Sequence, residues 1–219
     1  MKRNFVVIPG YNESQYLTLV LKKTSAVTKN IIFVDDGSSD TSAVIAKKYT
    51  PHVLSHQTNL GKGAAMLTGA TYAFDTLGAD AIVFMDSDDQ HDPSHLLDFF
   101  KELESNDIVF GVRNMGANMP LSRFLGNKLA SVILNILYGV YIADIPSGYK
   151  GMHKRAFGKV RWKSAGYEVE TEIAVRVAQH KIPFGLIEIK AIYHDTDKGM
   201  TLLDALHITF SLVQWRLGL

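Results

Sequence analysis

Asp86-Ser87-Asp88 follows the apolar run Ala81-Ile82-Val83-Phe84-Met85 and is the sharpest chemical feature of the sequence. In extended backbone alternate side chains point the same way, so Asp86 and Asp88 converge on one site. Gln90 continues the alternation and offers a carbonyl oxygen. Hard oxygen donors of this kind suit Mg²⁺ or Mn²⁺, often held by one or two carboxylates together with substrate phosphates. Two more polar clusters follow apolar runs: Pro9-Gly10-Tyr11-Asn12-Glu13 after Phe5 to Ile8, and Asp35-Asp36-Gly37-Ser38 after Ile31 to Val34. Carboxylates gathered at one edge repel one another and need a cation or hydrogen-bond donors to coexist. An acidic residue after a strand also serves simply as a helix cap, which is the reading for Asp92 before Pro93.

Two other segments carry chemistry less sharply. Asn59-Leu60-Gly61-Lys62-Gly63 opens a helix, where glycines let backbone approach a phosphate and the helix N-terminus attracts anions. It lacks the third glycine of a dinucleotide fingerprint and the spacing of a Walker loop, and a tight strand-to-helix turn also explains it. In Glu168-Val169-Glu170-Thr171-Glu172, Glu168 and Glu172 share a helical face. One of them is a candidate general base for a hydroxyl acceptor; the alternative is a solvated or capping acidic face.

The elements that must position these residues alternate through the first half. Strands are expected at Phe5–Ile8, Ile31–Val34, His52–Leu54, Ala81–Met85 and Asp107–Phe110. Helices are expected from Glu13 to Val27, after the Ser38-Ser39-Asp40 cap, from Lys62 to Leu77, and after Asp92-Pro93. Near-continuous apolar strands joined by helices mean an α/β fold, a mostly parallel central sheet with helices on both faces. Ligands of such sheets bind beyond the carboxyl ends of the strands, where the polar clusters stand. After Arg113 come a loop, a long apolar helix to Ile142, a turn at Pro146-Ser147-Gly148, a helix from Tyr167 to His180, a strand from Phe184 to Tyr193, and an amphipathic helix from Thr201 to Leu217. One domain over 1–219 is expected, its first half (1–113) binding a nucleotide and its second (114–219) facing an acceptor.

Composition narrows the partners. Lys+Arg of 23 against Asp+Glu of 22 leaves a net charge of +1, which argues against nucleic acid. The absence of cysteine excludes thiolate catalysis and Cys-ligated metals. No secretory signal is read before the first strand, and the apolar stretch from Phe124 to Ala143 is broken by Asn127, Lys128 and Asn135. A cytoplasmic protein is expected, with peripheral contact at the cytoplasmic face of a membrane.

Taken in order, Ile8-Pro9-Gly10-Tyr11-Asn12-Glu13, Val34 to Asp40, Asn59 to Gly63, Asp86 to His91, Gly111-Val112-Arg113, Ser122-Arg123 and Pro146 to Lys150 resemble the inverting glycosyltransferases of family 2, above all the polyprenyl- and dolichyl-phosphate sugar synthases. The resemblance implies a GT-A type fold and a metal-dependent transfer from a UDP- or GDP-hexose, with inversion, to a polyprenyl (dolichyl) phosphate. It implies that Pro9, Tyr11, Glu13 and Asp36 hold base and ribose and that Lys62 lies on the nucleotide sugar. Asp86 lies near ribose and metal, Asp88 is the main metal ligand, and Gln90 stands beside it. Arg113 and Arg123 then face the acceptor phosphate, for which the guanidinium fork is suited. In Tyr193-His194-Asp195-Thr196-Asp197-Lys198-Gly199, Lys198 and His194 are candidates for the diphosphate, with two aspartates that depart from the family pattern. A phosphate monoester is already anionic and needs no base. The alternatives are a hydroxyl acceptor on a polysaccharide or glycolipid, a nucleotidyltransferase, whose Gly-rich basic N-terminal loop is absent here, and a non-catalytic nucleotide-sugar-binding module.

Overall fold

The computed structural model describes residues 2–114, 121–190, 192, 210–212 and 214–216, with the backbone alone described for 121–125. The Arg123 side chain, His194, Lys198 and most of the expected closing helix lie outside the described residues.

Seven strands form one sheet: β1 (Asn4–Gly10), β2 (Ile31–Asp35), β3 (His52–Ser55), β4 (Ala81–Phe84), β5 (Ile108–Arg113), β6 (Lys150–His153) and β7 (Phe184–Ile189). Their order is β3-β2-β1-β4-β6-β5-β7. All neighbouring pairs are parallel except those made by β6, which runs antiparallel between β4 and β5. The apolar runs predict β1, β2, β4 and β5. No apolar run marks β6, because Lys150-Gly151-Met152-His153 pairs on both sides without being uniformly apolar. The strand expected to reach Tyr193 ends at Ile189.

The helices are α1 (Ser14–Val27), α2 (Ser42–Ala46), α3 (Lys62–Thr71), α4 (Leu96–Glu102), α5 (Leu121–Tyr138), α6 (Lys154–Val160) and α7 (Val169–Gln179). The helix expected to run from Lys62 to Leu77 loses its regular pitch at Tyr72–Thr76, a single π-helical turn. The segment after Ser38-Ser39-Asp40 yields just the five residues of α2. The seven-residue α6, which carries Gly158 in its last turn, is not anticipated by the sequence pattern.

Alternating residues divide the core into two layers. Phe5, Val7, Ile32, Val34, Ile82 and Phe84 pack with α3, α5, α6 and α7, while Val6, Ile8, Ile31, Phe33 and Val83 pack with α1, α2 and α4. That period of two, buried on both faces, is what a sheet between helical layers demands. Among the described residues no helix is long and apolar enough to cross a membrane.

The register aligns the strand ends. Gly10 lies opposite Asp35 and Val7 opposite Phe84, so the peptides following β1, β2 and β4 emerge along one edge. Chain order reverses between β1 and β4, and the crevice at such a switch point is where an open α/β sheet receives its ligand.

Candidate active site

A pocket opens at that crevice, lined by Pro9, Gly10, Tyr11 and Glu13 from β1 and its exit, and by Asp36 after β2. Asn59, Gly61, Lys62 and Ala65 come from the entry to α3, Asp86, Ser87 and Asp88 from the exit of β4, and Gly166 and Tyr167 from the approach to α7. Seven of the residues nominated by the sequence therefore meet around one pocket: Pro9, Tyr11, Glu13, Asp36, Lys62, Asp86 and Asp88. Gln90 is not among the lining residues. β4 stops at Phe84 and Asp89 turns left-handed (φ 62°), so the alternation that pointed Gln90 inward no longer applies. Its backbone N–H instead donates to Asp88 Oδ1 at 3.1 Å.

The β2 corner is closed by hydrogen bonds. Asp36 accepts the Leu60 and Gly61 amides at 3.0 and 2.8 Å, and its Oδ1 lies 2.7 Å from His56 Nδ1. Asn12, itself left-handed at φ 55°, accepts from the Ser39 and Asp40 amides, and Asp40 accepts from those of Ser14 and Ser42. The loops after β1 and β2 thus hold each other and start α1 and α2. Gly37 (φ 76°) is required there, since a Cβ would sit 2.4 Å from the Thr58 carbonyl carbon.

The β4 corner is built of charges. Lys62 Nζ lies 2.7 Å from Asp86 Oδ1 and 2.8 Å from Oε1 of Glu170, a buried residue of α7. Burial opposes the ammonium charge, but the two carboxylates outweigh it and hold the Lys62 pKa above the usual lysine range. Burial would likewise raise Asp86; the Lys62 ammonium overrides it and keeps Asp86 ionised. Asp88 is paired with no ammonium among the described residues, and burial together with the Asp86 charge pushes its carboxyl up to about 6. His91 Nδ1 accepts the Asp86 amide at 3.1 Å while its ring stacks on Tyr149, and burial holds the imidazole down at about 4, neutral at pH 7. Gly148 lets the 145–148 turn lie against this group, since a Cβ would meet Asp86 Oδ2 at 2.5 Å. Lys150 steadies that turn by donating to the carbonyls of Ile145 and Ser147, and its burial lowers its pKa to about 8.

The glycine segment has a different use from phosphate binding. The Gly63 and Ala64 amides, the expected anion contacts, donate to the Ala165 carbonyl at 2.6 and 3.2 Å. Gly61 (φ 98°) and Gly63 admit the 164–165 backbone, where Cβ atoms would meet Ala165 O at 2.5 Å and Ser164 O at 2.2 Å. The carboxylates offered as bases are also engaged. Glu172 accepts the Lys163 and Ser164 amides and pairs with Arg176, and Glu168 accepts the Gly166 amide. It is Glu170, between them in sequence, that reaches Lys62 from behind the pocket wall. Its signal was an acidic residue inside the buried face of a helix. Asp144, buried in the turn between Ala143 and Ile145, was missed as well. It takes the Arg113 fork at 2.7 and 2.8 Å as well as the Asn127 amide at 3.2 Å.

Residues 5–161 match the glycosyl transferase family 2 profile. The chain belongs to that family. This glycosyltransferase has a GT-A type fold, and its relatives extend along nearly all of it. It is 31% identical, over 97% of its length and 92% of the relative's, to an uncharacterized protein of Methanocaldococcus jannaschii. It is 28% identical to a UDP-N-acetylglucosamine–dolichyl-phosphate N-acetylglucosaminyltransferase of Methanococcus voltae, covering 98% of this chain and 96% of the other. A polyprenol monophosphomannose synthase of Mycolicibacterium smegmatis is 26% identical, with 98% and 87% covered. Among solved structures, glucosyl-3-phosphoglycerate synthase of Mycobacterium tuberculosis with Mn²⁺, uridine diphosphate and phosphoglyceric acid superposes with a TM-score of 0.76 at 18% identity, covering 100% of this chain and 79% of that one. At that identity it speaks to the fold alone.

Among the described residues no three His, Asp or Glu side chains form a metal cluster. The donor set nevertheless fits a hard divalent cation that keeps several waters. Asp88, pushed toward protonation beside Asp86, is a carboxylate whose charge a cation would relieve, and two carboxylates with a diphosphate complete such a site.

Proposed function

We propose that this glycosyltransferase moves a hexose from UDP or GDP to the phosphate of a polyprenyl carrier of the dolichyl type, with inversion at the anomeric carbon and with Mg²⁺ or Mn²⁺. The observation that carries the acceptor class is the engagement of Glu168 and Glu172 in backbone capping. A sugar hydroxyl wants a general base near the reacting carbon, whereas a phosphate oxygen attacks as it stands. The names of the full-length relatives agree with this choice.

In this reading Pro9, Tyr11, Glu13 and Asp36 receive base and ribose, and Lys62 lies against the donor's diphosphate end. Asp88 and Asp86 would hold the cation, which when bound supplies Lewis-acid neutralisation of the departing diphosphate. Gln90 stays in the cation's neighbourhood through its amide on Asp88. Arg113, oriented by Asp144, would face the acceptor phosphate; the family resemblance gives Arg123 the same role and Lys198 one toward the donor, both of whose side chains lie outside the described residues. A prenyl tail requires a membrane surface, and α5 offers one an exposed stripe of Leu129, Val132 and Ile136 beside Lys128. Protein and acceptor would then meet at the cytoplasmic face, the protein bound peripherally.

The test is a panel of UDP- and GDP-hexoses, with Mg²⁺ or Mn²⁺, against undecaprenyl and dolichyl phosphate and against soluble sugar acceptors. A prenyl-phosphate sugar, its formation abolished by chelator, is the expected product; transfer to hydroxyl acceptors alone would overturn the acceptor assignment. Flotation with anionic vesicles checks the membrane contact, with Ile136→Glu expected to reduce the bound fraction.

A further inference from the structure

Tyr167 is the most exposed large hydrophobic residue among those described, at 81%, yet it stands on the wall of a pocket. The backbone beneath it is held at every step. Trp162 Nε1–H donates to the Gly63 carbonyl at 2.8 Å, Glu172 accepts the Lys163 and Ser164 amides, Ala165 accepts two amides of α3, and Glu168 accepts the Gly166 amide. Two glycines of α3's entry are cleared to let this segment dock. The outcome of that construction is one aromatic ring presented to solvent, 6.0 Å from Lys62 Nζ and so beside the Lys62–Asp86 pair. Packing does not account for the ring, because so little of it is buried.

Resting on the donor assignment above, we propose that Tyr167 is the stacking wall of the donor-sugar subsite. The nucleoside end of the pocket is marked by Tyr11, Glu13 and Asp36, and the diphosphate end by Lys62, Asp86 and Asp88. The sugar is the part of the donor that lies beyond the diphosphate, and Tyr167 flanks that end. A hexose presents an apolar face of C–H groups, for which an aromatic ring on a fixed support is the matching surface. Behind Lys62, the buried Glu170 Oε2 has no hydrogen-bond partner among the described residues.

Calorimetry with UDP, UDP-glucose, GDP and GDP-mannose, in Mn²⁺, tests the assignment on wild type, Tyr167→Phe and Tyr167→Ala. The exposed position makes both variants safe for folding, which a melting curve verifies. Tyr167→Ala should weaken the preferred nucleotide sugar by about three- to tenfold while its nucleoside diphosphate stays within about twofold, and Tyr167→Phe should match wild type. Equal weakening of nucleotide and nucleotide sugar would make Tyr167 a nucleotide contact and overturn the proposal. So would unchanged donor binding with a raised KM for the acceptor. A wild-type protein that binds neither nucleoside diphosphate would overturn the donor assignment itself, an outcome distinct from the first two.

Discussion

The corners after β2 and β4 begin from the same sequence feature, an aspartate pair at the end of an apolar strand, and end as opposites. At the β2 corner Asp36 is engaged by two backbone amides and His56, so its charge fastens the α3 entry to the sheet. At the β4 corner Asp86 is matched by Lys62, and Asp88 faces the pocket with its pKa driven up to about 6. A carboxylate held by backbone amides does structural work first, and the lone pair remaining on Asp36 Oδ2 is what it keeps for a ligand. One left beside another carboxylate is held in an unfavourable state that a ligand can relieve. The chemistry of the pocket thus belongs to the corner where satisfaction is incomplete.

The strongest way to break this contrast is to neutralise each carboxylate in turn. Asp88→Asn should lower sugar transfer by about a hundred- to a thousandfold, the loss expected when a cation site on a leaving diphosphate is disabled, with the fold kept and its stability near pH 7 not lowered. Asp36→Ala should do the reverse, costing about 2–4 kcal/mol in urea unfolding because the Leu60 and Gly61 amides lose a charged acceptor. If Asp88→Asn unfolds the protein, or Asp36→Ala leaves its stability intact, the division of labour is wrong.

Gly63→Ala probes the junction between the two corners. A Cβ there meets the Ser164 carbonyl at 2.2 Å, backbone that cannot swing aside as a side chain does. The docked 162–166 segment must shift, at a cost of about 1–3 kcal/mol in stability and a weakened grip on the donor. Urea unfolding and nucleotide binding read the two effects separately. Unchanged values would mean that the glycine segment is free to hold a phosphate after all.

This junction also explains what was legible in the sequence. Asp86 and Asp88 are recognisable because acidic residues at a strand end declare themselves locally. Gln90 does not line the pocket, because a two-residue period does not carry past the strand into a turn where Asp89 is left-handed. The Asn59 to Gly63 segment was readable as a close approach of backbone, but not what approaches, since Ala165 arrives from the other half of the chain. The Lys62–Glu170 and Arg113–Asp144 pairs were hidden for the same reason. Each joins residues whose proximity exists only after the sheet is assembled, with an unheralded antiparallel β6 inserted between β4 and β5.

The smallest expected effect is a difference of sign across pH. Asp40, at the β2 corner, is opposed by burial, but its bonds from Ser42 and Ser14 bring its carboxyl from the ordinary 3.8 to about 2. A depressed carboxylate contributes stability that is fully present above its unfolded value and is lost as pH falls toward the folded one. Asp88 behaves in the opposite way. Its folded pKa is raised from 3.8 to about 6, so the folded form takes up the proton first and stability rises as pH falls through that interval. His91 works against Asp88 in an overlapping window, since burial lowers it from 6.5 to about 4 and the unfolded chain is protonated first. Urea unfolding in metal-free buffer from pH 7 to pH 3 separates the three. Asp88→Asn removes the gain and leaves the His91 loss uncompensated, so the variant should lose more stability than wild type on acidification over the upper part of the range. Asp40→Asn should follow wild type there and diverge as pH drops below about 4, with a shallower loss of under about 1 kcal/mol, because solvent screens this loop. Parallel curves for wild type and Asp88→Asn would mean that Asp86 places no strain on its neighbour, and that the two corners are alike.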